Sequence, residues 1–142
     1  MGHYSSPTRE IDRVFIHCSA SDHDHHDDVS VMRNWHKNRG WRDVGYHFFI
    51  KKDGTIQKGR DVELTPAAQK GHNTATIAIC LHGLDVDKFT EEQFDSLRDL
   101  CSEILLLEPN VTFHGHREVA NKACPVFDYR SVLNLDAYGN MG

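Results

Sequence analysis

Residues 112–125 read TFHGHREVANKACP, a short apolar run followed by two imidazoles, a lysine and a thiol. Imidazole nitrogen and thiolate sulfur are preferred zinc ligands, and a catalytic zinc site uses three protein ligands and keeps a fourth position open. His116 and Cys124 are eight residues apart, which is too far for one helical turn. The stretch therefore predicts a strand followed by a loop that doubles back and brings both side chains to one metal ion.

The third ligand must come from elsewhere in the chain, and the best candidate is His17. It lies in VFIHC, residues 14–18, an otherwise apolar run that predicts a central strand covered on both faces. Such a strand would present the histidine at its C-terminal end. An alternative stays open from the residues alone. The chain has 11 histidines, most of which should be surface or half-buried, and Cys124 by itself fits an inert core thiol.

Two longer helices are predicted from apolar periodicity. Residues 29–39 form the first, with Gly40 as its stop. Residues 90–107 form the second, in which Thr90 and Gln93 make a capping box. A final helical turn is expected at residues 127–133.

Strands are predicted between these helices. Their ranges are residues 14–18, 44–50, 55–58, 76–82 and 111–114, with a hairpin between the second and third. In the second strand, alternation places Tyr46 on the same face as Phe48 and Ile50. Strands that alternate with helices predict the α/β class: a single domain over residues 11–142 with a mixed β-sheet flanked by helices. Residues 1–10 are polar and are expected to be a flexible N-terminal segment.

Composition narrows the function classes. A formal net charge of −5 argues against nucleic acid as the main partner, because phosphate binding depends on basic surface. No apolar run approaches the roughly 20 residues that a membrane span needs. The first residues lack the apolar core of a secretory signal, so we expect no signal peptide and four reduced cysteines made in a cytoplasm. A monomer is expected.

Seven motifs, in order along the chain, resemble the zinc-dependent N-acetylmuramoyl-L-alanine amidases. The closest resemblance is to the small phage lysozymes, or endolysins, of that family, which are similar to peptidoglycan recognition proteins. The resemblance runs from about residue 11 to residue 133. The motifs are IHCSA at 16–20, WHK at 35–37, GWRDVGYHF at 40–48, KDGT at 52–55, GR at 59–60, IAICL at 77–81 and HREVANKACPVFD at 116–128.

The resemblance implies an amidase/peptidoglycan-recognition-protein-like fold and a hydrolase that cleaves the amide bond between N-acetylmuramic acid and L-alanine in peptidoglycan. It implies one Zn²⁺ held by His17, His116 and Cys124, and catalytic roles for Tyr46 and Lys122. Zinc in such a site lowers the pKa of its water to about 7, which makes amide hydrolysis feasible near neutral pH. Lys122 would stabilise the oxyanion, and Tyr46 would orient the water or pass a proton.

One position departs from the family pattern. Family members often carry a histidine where this chain has Ala68, and that histidine is thought to contact substrate. The departure puts one substrate contact in doubt and leaves the zinc ligands unaffected. His72 is a candidate to provide part of this substrate contact.

The resemblance also brings two alternative functions. One is a module that binds peptidoglycan without cleaving it, although the usual mark of that group is loss of the cysteine ligand and Cys124 is present. The other is a lysozyme that also regulates a polymerase by protein binding. For the enzyme, the expected role is host cell lysis, with the protein waiting in the host cytoplasm before it reaches the cell wall.

Overall fold

The protein is built around a five-stranded mixed β-sheet. Its structure, a computed structural model, describes residues 2–40, 43–121 and 123–141. The strand order across the sheet is β3-β2-β4-β1-β5. The strands are β1 (Arg13–Cys18), β2 (Phe48–Ile50), β3 (Ile56–Lys58), β4 (Thr76–Leu81) and β5 (Thr112–Gly115).

Strand β1 lies between β4 and β5 and runs parallel to both, whereas β2 is parallel to β4 and antiparallel to β3. Every residue of β4 is buried, and so are residues 14–18 of β1. Burial on both faces explains why these two strands read as continuous apolar runs without polar alternation. Because β1 and β5 are parallel neighbours, their carboxyl ends meet at one edge of the sheet.

Helix α2 (Glu91–Leu107) covers one face of the sheet. It begins at Thr90, whose side chain accepts a hydrogen bond from the Gln93 backbone N–H, while the Gln93 side chain accepts one from the Thr90 N–H. This reciprocal pair satisfies two donors that a helix start leaves without partners. The short helix α3 (Tyr129–Val132) packs against the same apolar cluster.

Helix α1 (Val29–Asn38) covers the opposite face. Its first turn is capped by Asp28, which accepts a hydrogen bond from the Ser30 N–H at 2.8 Å. Its residues Val29 and Met32 pack with Val44, Phe49 and Cys80 in a second, smaller cluster. Gly40 follows the helix with a φ of +87°, a left-handed conformation that glycine adopts without strain.

The predicted fold class is therefore confirmed, with one difference in detail. The strand predicted over residues 44–50 begins only at Phe48. Tyr46 packs against the cluster that contains Phe49, whereas Phe48 and Ile50 face the α2 side. The alternation breaks just before β2, in the segment where the His36 ring accepts a hydrogen bond from the Gly45 N–H at 2.7 Å.

The N-terminal segment makes contacts with the rest of the protein. Tyr4 is 5% exposed and lies in the larger apolar cluster. Its hydroxyl donates to Glu108 at 2.7 Å, and Thr8 donates to the Glu63 carboxylate. The division into a flexible segment 1–10 and a domain 11–142 stays a prediction.

Candidate metal centre and active site

His17 reaches the candidate site from the carboxyl end of β1. Its side chain is 1% exposed, and its ring lies 4.6 Å from the His116 ring between centroids. The His17 Nδ1 atom is 3.9 Å from the Cys124 sulfur. Nε2, on the other side of the ring, is 2.9 Å from the side-chain oxygen of Gln69. The strand thus delivers this imidazole with one nitrogen directed toward the thiol.

His116 reaches the same place from the end of β5, at the start of a single helical turn (His116–Glu118). The turn is fixed by the Glu118 carboxylate, which accepts hydrogen bonds from the Gly115 N–H at 2.9 Å and from the Tyr129 hydroxyl. Gly115 is required here because a Cβ at this position would lie 2.5 Å from the Tyr129 ring. His116 is 8% exposed as a result.

Cys124 returns to the site because the loop after His116 closes on itself. The Arg117 N–H donates to the Cys124 carbonyl at 2.6 Å, and the Arg117 guanidinium donates to the Pro125 carbonyl at 2.7 Å. The same guanidinium lies over the Tyr129 ring, 4.8 Å from its centroid. These contacts produce the doubled-back loop that the spacing of His116 and Cys124 predicts.

The three side chains fit a metal ion. One ligand atom from each of His17, His116 and Cys124 lies within 4.8 Å of the other two, and among the described residues this is the one such group of histidine, cysteine or acidic side chains. Two imidazole nitrogens and one sulfur form a donor set that zinc accepts. No carboxylate joins the set, which disfavours calcium or magnesium because these ions prefer oxygen.

The environment of Cys124 keeps its thiol protonated and places a backbone donor beside the sulfur. A hydrogen bond with Cys18, followed by burial, raises the pKa of Cys124. Without a cation the thiol therefore keeps its proton, whereas a coordinated thiol loses it outright. The Cys18 backbone N–H points at the Cys124 sulfur at 3.1 Å and would stabilise the thiolate.

Tyr46 lies beside the metal-ligand group. Its ring centroid is 5.1 Å from that of His17 and 5.5 Å from that of His36. Burial, with nearby thiols adding to it, raises the pKa of the Tyr46 phenol well above its usual value, so the phenol keeps its proton near neutral pH. Burial also lowers the pKa of His36 to about 4, so this ring stays neutral and accepts the Gly45 N–H that positions Tyr46. The predicted catalytic Lys122 lies outside the described residues.

A cavity of about 420 Å³ opens onto these side chains. Its walls include Met32, Trp35 and Ala67, and its lining includes all three candidate ligands and Tyr46. A second cavity, of about 520 Å³, continues from it past Ala68 and shares Arg39 and His116 with it. Lys70 and Arg39 give this extension positive charge, whereas the chain as a whole is negative. The two together form a cleft that leads away from the metal-ligand group.

The other histidines take different places. His114 is bonded to Thr112 at 2.7 Å and to Glu118 at 2.9 Å, and it is not part of the metal-ligand group. His47 is 1% exposed and bonds to the backbone of Ala78 and Leu64. A further cavity of about 330 Å³ near His47 and Arg60 contains none of the three candidate ligands.

Sequence reasoning missed Gln69, which contacts His17. It sits in a polar loop whose composition predicts exposure, yet its side chain is fully buried. Only the packing of this loop against the end of β1 reveals the contact.

The amino-acid sequence is similar to those of known amidases. The family model described as N-acetylmuramoyl-L-alanine amidase matches residues 7–127. The endolysin of Escherichia phage T7 is 43% identical over 125 residues, which covers 84% of this chain and 83% of that protein.

Two solved structures extend the likeness to the fold. The endolysin amidase LysCS from Clostridium intestinale superposes with a TM-score of 0.79 at 26% identity, covering 89% of this chain and 83% of that one. A complex of the peptidoglycan recognition proteins LCa and LCx with tracheal cytotoxin superposes with a TM-score of 0.75 at 26% identity, covering 85% and 79%. The match of sequence and fold shows that the chain belongs to the N-acetylmuramoyl-L-alanine amidase family.

Proposed function

We propose that this chain is a zinc-dependent endolysin that hydrolyses the amide bond between N-acetylmuramic acid and L-alanine in bacterial peptidoglycan. The reaction class is that of its family. The observation that carries the zinc-dependent form is the meeting of two imidazoles and a thiol within 4.8 Å at the end of a cleft. A module that only binds peptidoglycan would not need a complete ligand set, so the presence of Cys124 favours the enzyme.

His17, His116 and Cys124 would hold the metal. When bound, zinc supplies a Lewis acid that activates water near neutral pH and withdraws charge from an amide carbonyl. The chain supplies the rest. The two imidazoles are nearly buried, so their orientation is fixed before substrate arrives. The Cys18 backbone N–H donates to the Cys124 sulfur and would stabilise it as a thiolate.

Tyr46 would act as a hydrogen-bond donor to the reacting amide. Its raised pKa keeps the phenol protonated, and Tyr46 lines the same cavity as the ligands, with its ring beside that of His17. Negative charge develops on the carbonyl oxygen during attack, and a donor aimed at that oxygen stabilises the transition state. For Lys122 the same role is proposed from its sequence position two residues before Cys124.

The cleft would take the substrate. The peptide stem of peptidoglycan carries carboxylates, and Arg39 and Lys70 line the extension of the cavity that a stem would follow. Ala68, where the family often has histidine, leaves the wall between the two cavities small and apolar. We therefore infer that in this chain the charges of Arg39 and Lys70 supply the stem binding that a histidine at position 68 would otherwise support.

The relative from phage T7 is an endolysin, and the proposed role for this chain is the same: host cell lysis from within. In the part of the chain that the structure describes, no helix is long and apolar enough to cross a membrane. The enzyme would act on the wall after a partner opens the membrane. Peptidoglycan is the substrate that we propose for the cleft.

The test is hydrolysis of purified cell wall. The enzyme should release new amino termini of L-alanine and no reducing sugar ends, and a strong chelator should abolish this release until zinc is restored. Release of reducing ends would contradict the amidase assignment. Unchanged release after prolonged chelation would contradict the role of zinc.

A further inference from the structure

A chain of buried hydrogen bonds runs from the backbone near Asn73 to the candidate ligand His17. Gln69 and Thr76 form this chain, and both side chains are fully buried. Each bond within it has only one direction that satisfies both partners. The direction can therefore be followed from the fixed end toward His17.

The fixed end is the carbonyl of Asn73, which can only accept. The Thr76 hydroxyl donates its single hydrogen to this carbonyl at 2.7 Å. The same hydroxyl must then accept from the Gln69 side-chain NH₂, which lies 2.8 Å away. The NH₂ group also lies 3.3 Å from the His72 carbonyl, another group that can only accept.

These contacts fix the orientation of the Gln69 amide. Its NH₂ faces two acceptors, so its oxygen faces His17 Nε2 at 2.9 Å. An amide oxygen cannot donate, so His17 Nε2 must carry the hydrogen. In a neutral imidazole the lone pair then belongs to Nδ1, the atom that faces the Cys124 sulfur.

We propose that Gln69, supported by Thr76, is a positioning residue that selects the Nε2–H tautomer of His17 and so makes Nδ1 the metal-binding atom. This inference rests on the proposed zinc site. A histidine that binds metal through one nitrogen is commonly oriented by a hydrogen bond from the other. The loop that carries Gln69 is held by a further side chain: the Asn73 side-chain oxygen accepts hydrogen bonds from the backbone N–H groups of Ala68 and Gln69 at 3.1 and 3.0 Å.

The first experiment needs no variant. Long-range proton–nitrogen correlation spectra of the ¹⁵N-labelled full chain, recorded with zinc and after chelation, report which nitrogen of His17 carries hydrogen. We expect Nε2–H in both states. Hydrogen on Nδ1 after chelation, or zinc on Nε2, would overturn the inference while leaving zinc binding itself intact.

The second experiment measures zinc affinity by competition with a chromogenic chelator. Gln69→Leu removes the acceptor and should weaken zinc binding by about 10–100-fold, the usual effect of losing such a partner. Gln69→Glu restores an acceptor for Nε2–H and should recover most of the affinity. Thr76→Val, which keeps the shape of the side chain, should give a smaller loss in the same direction.

Gln93→Leu is the matched control. Gln93 is equally buried and uses its amide for hydrogen bonds to Ile50 and His82, with no contact to the candidate ligands. It should lower stability and leave zinc affinity unchanged. An equal loss of affinity in both leucine variants, or none in Gln69→Leu and Thr76→Val, would overturn the role of Gln69. Failure of the wild-type chain to bind zinc would instead contradict the proposed function.

Discussion

At the scale of single residues, the candidate site depends on how each side chain is held. Cys124 is half-buried, and its sulfur faces His17 on one side and the Cys18 backbone on the other. The Tyr46 ring packs beside the rings of His17 and His36, and the N–H of the preceding Gly45 donates to His36. Substitutions of these two residues should have different effects, because Cys124 would hold the metal ion and Tyr46 would act on the substrate.

Cys124→Ala should remove most of the zinc from the purified protein, which we expect to contain close to one ion per chain. The reason is that two imidazoles alone leave the ion without its only anionic ligand. Elemental analysis after gel filtration measures the content. Cys101→Ala is the control, because Cys101 is a fully buried thiol in α2 outside the metal-ligand group. Full zinc retention in Cys124→Ala would disprove the ligand assignment.

Tyr46→Phe should keep zinc and fold but lower turnover by about 10²–10³-fold, the usual cost of losing one oxyanion donor. The substitution keeps the ring contacts with His17 and His36 and removes only the hydroxyl. The sequence predicts the same loss for Lys122→Ala. Steady-state wall hydrolysis tests both, with Tyr138→Phe as control because Tyr138 is 80% exposed. Wild-type turnover in both variants would assign them structural roles.

At the scale of elements, α2 supports the face of the sheet opposite the cleft. Its start depends on Thr90, whose hydroxyl accepts the Gln93 N–H at 3.1 Å and donates to the Lys52 carbonyl at 2.6 Å. The cap therefore also ties the helix to the turn between β2 and β3. The helix stabilises the sheet without contributing a ligand.

Thr90→Ala should lower the free energy of unfolding by about 0.5–2 kcal/mol, as for other helix caps. Because the lost contacts lie away from the cleft, zinc content should not change. Urea unfolding monitored by circular dichroism gives the stability. Ser102→Ala, an exposed position in the middle of the same helix, is the matched control and should be nearly neutral. A loss of zinc in Thr90→Ala would show that helix and site are coupled.

At the scale of the whole molecule, the pH dependence of stability follows from buried histidines. His47 links the backbone of Ala78 in β4 to that of Leu64 in the loop between β3 and β4. Burial lowers the pKa of His47 to about 4, compared with about 6.5 in the unfolded chain. In the unfolded chain the His47 side chain is therefore protonated below about pH 6.5, whereas in the folded protein it stays neutral down to about pH 4.

Stability from this histidine is present above about pH 6.5 and is lost as the pH falls toward 4, by an amount on the order of 3 kcal/mol. His47→Gln keeps a donor for the Leu64 carbonyl and removes the titration. The variant should be less stable than wild type at pH 7, but its stability should fall less between pH 6.5 and 4. Urea unfolding of the zinc-free proteins at several pH values gives the free energy of unfolding of wild type and variant as a function of pH. If that free energy falls equally steeply in both proteins between pH 6.5 and 4, His47 does not contribute.

The sequence by itself determined the order of elements and the α/β class, and it supplied the candidate side chains for the site. It did so because apolar periodicity and capping residues are local signals, as at Thr90, and because His17, His116 and Cys124 have side chains suited to zinc. Tertiary structure decided what depends on distant segments meeting. Tyr46 packs on the face opposite to Phe48 and Ile50 because the regular strand begins only after it, and Gln69 is buried where its loop meets His17 at the end of β1. Such contacts join residues far apart in the chain, and no local pattern encodes them.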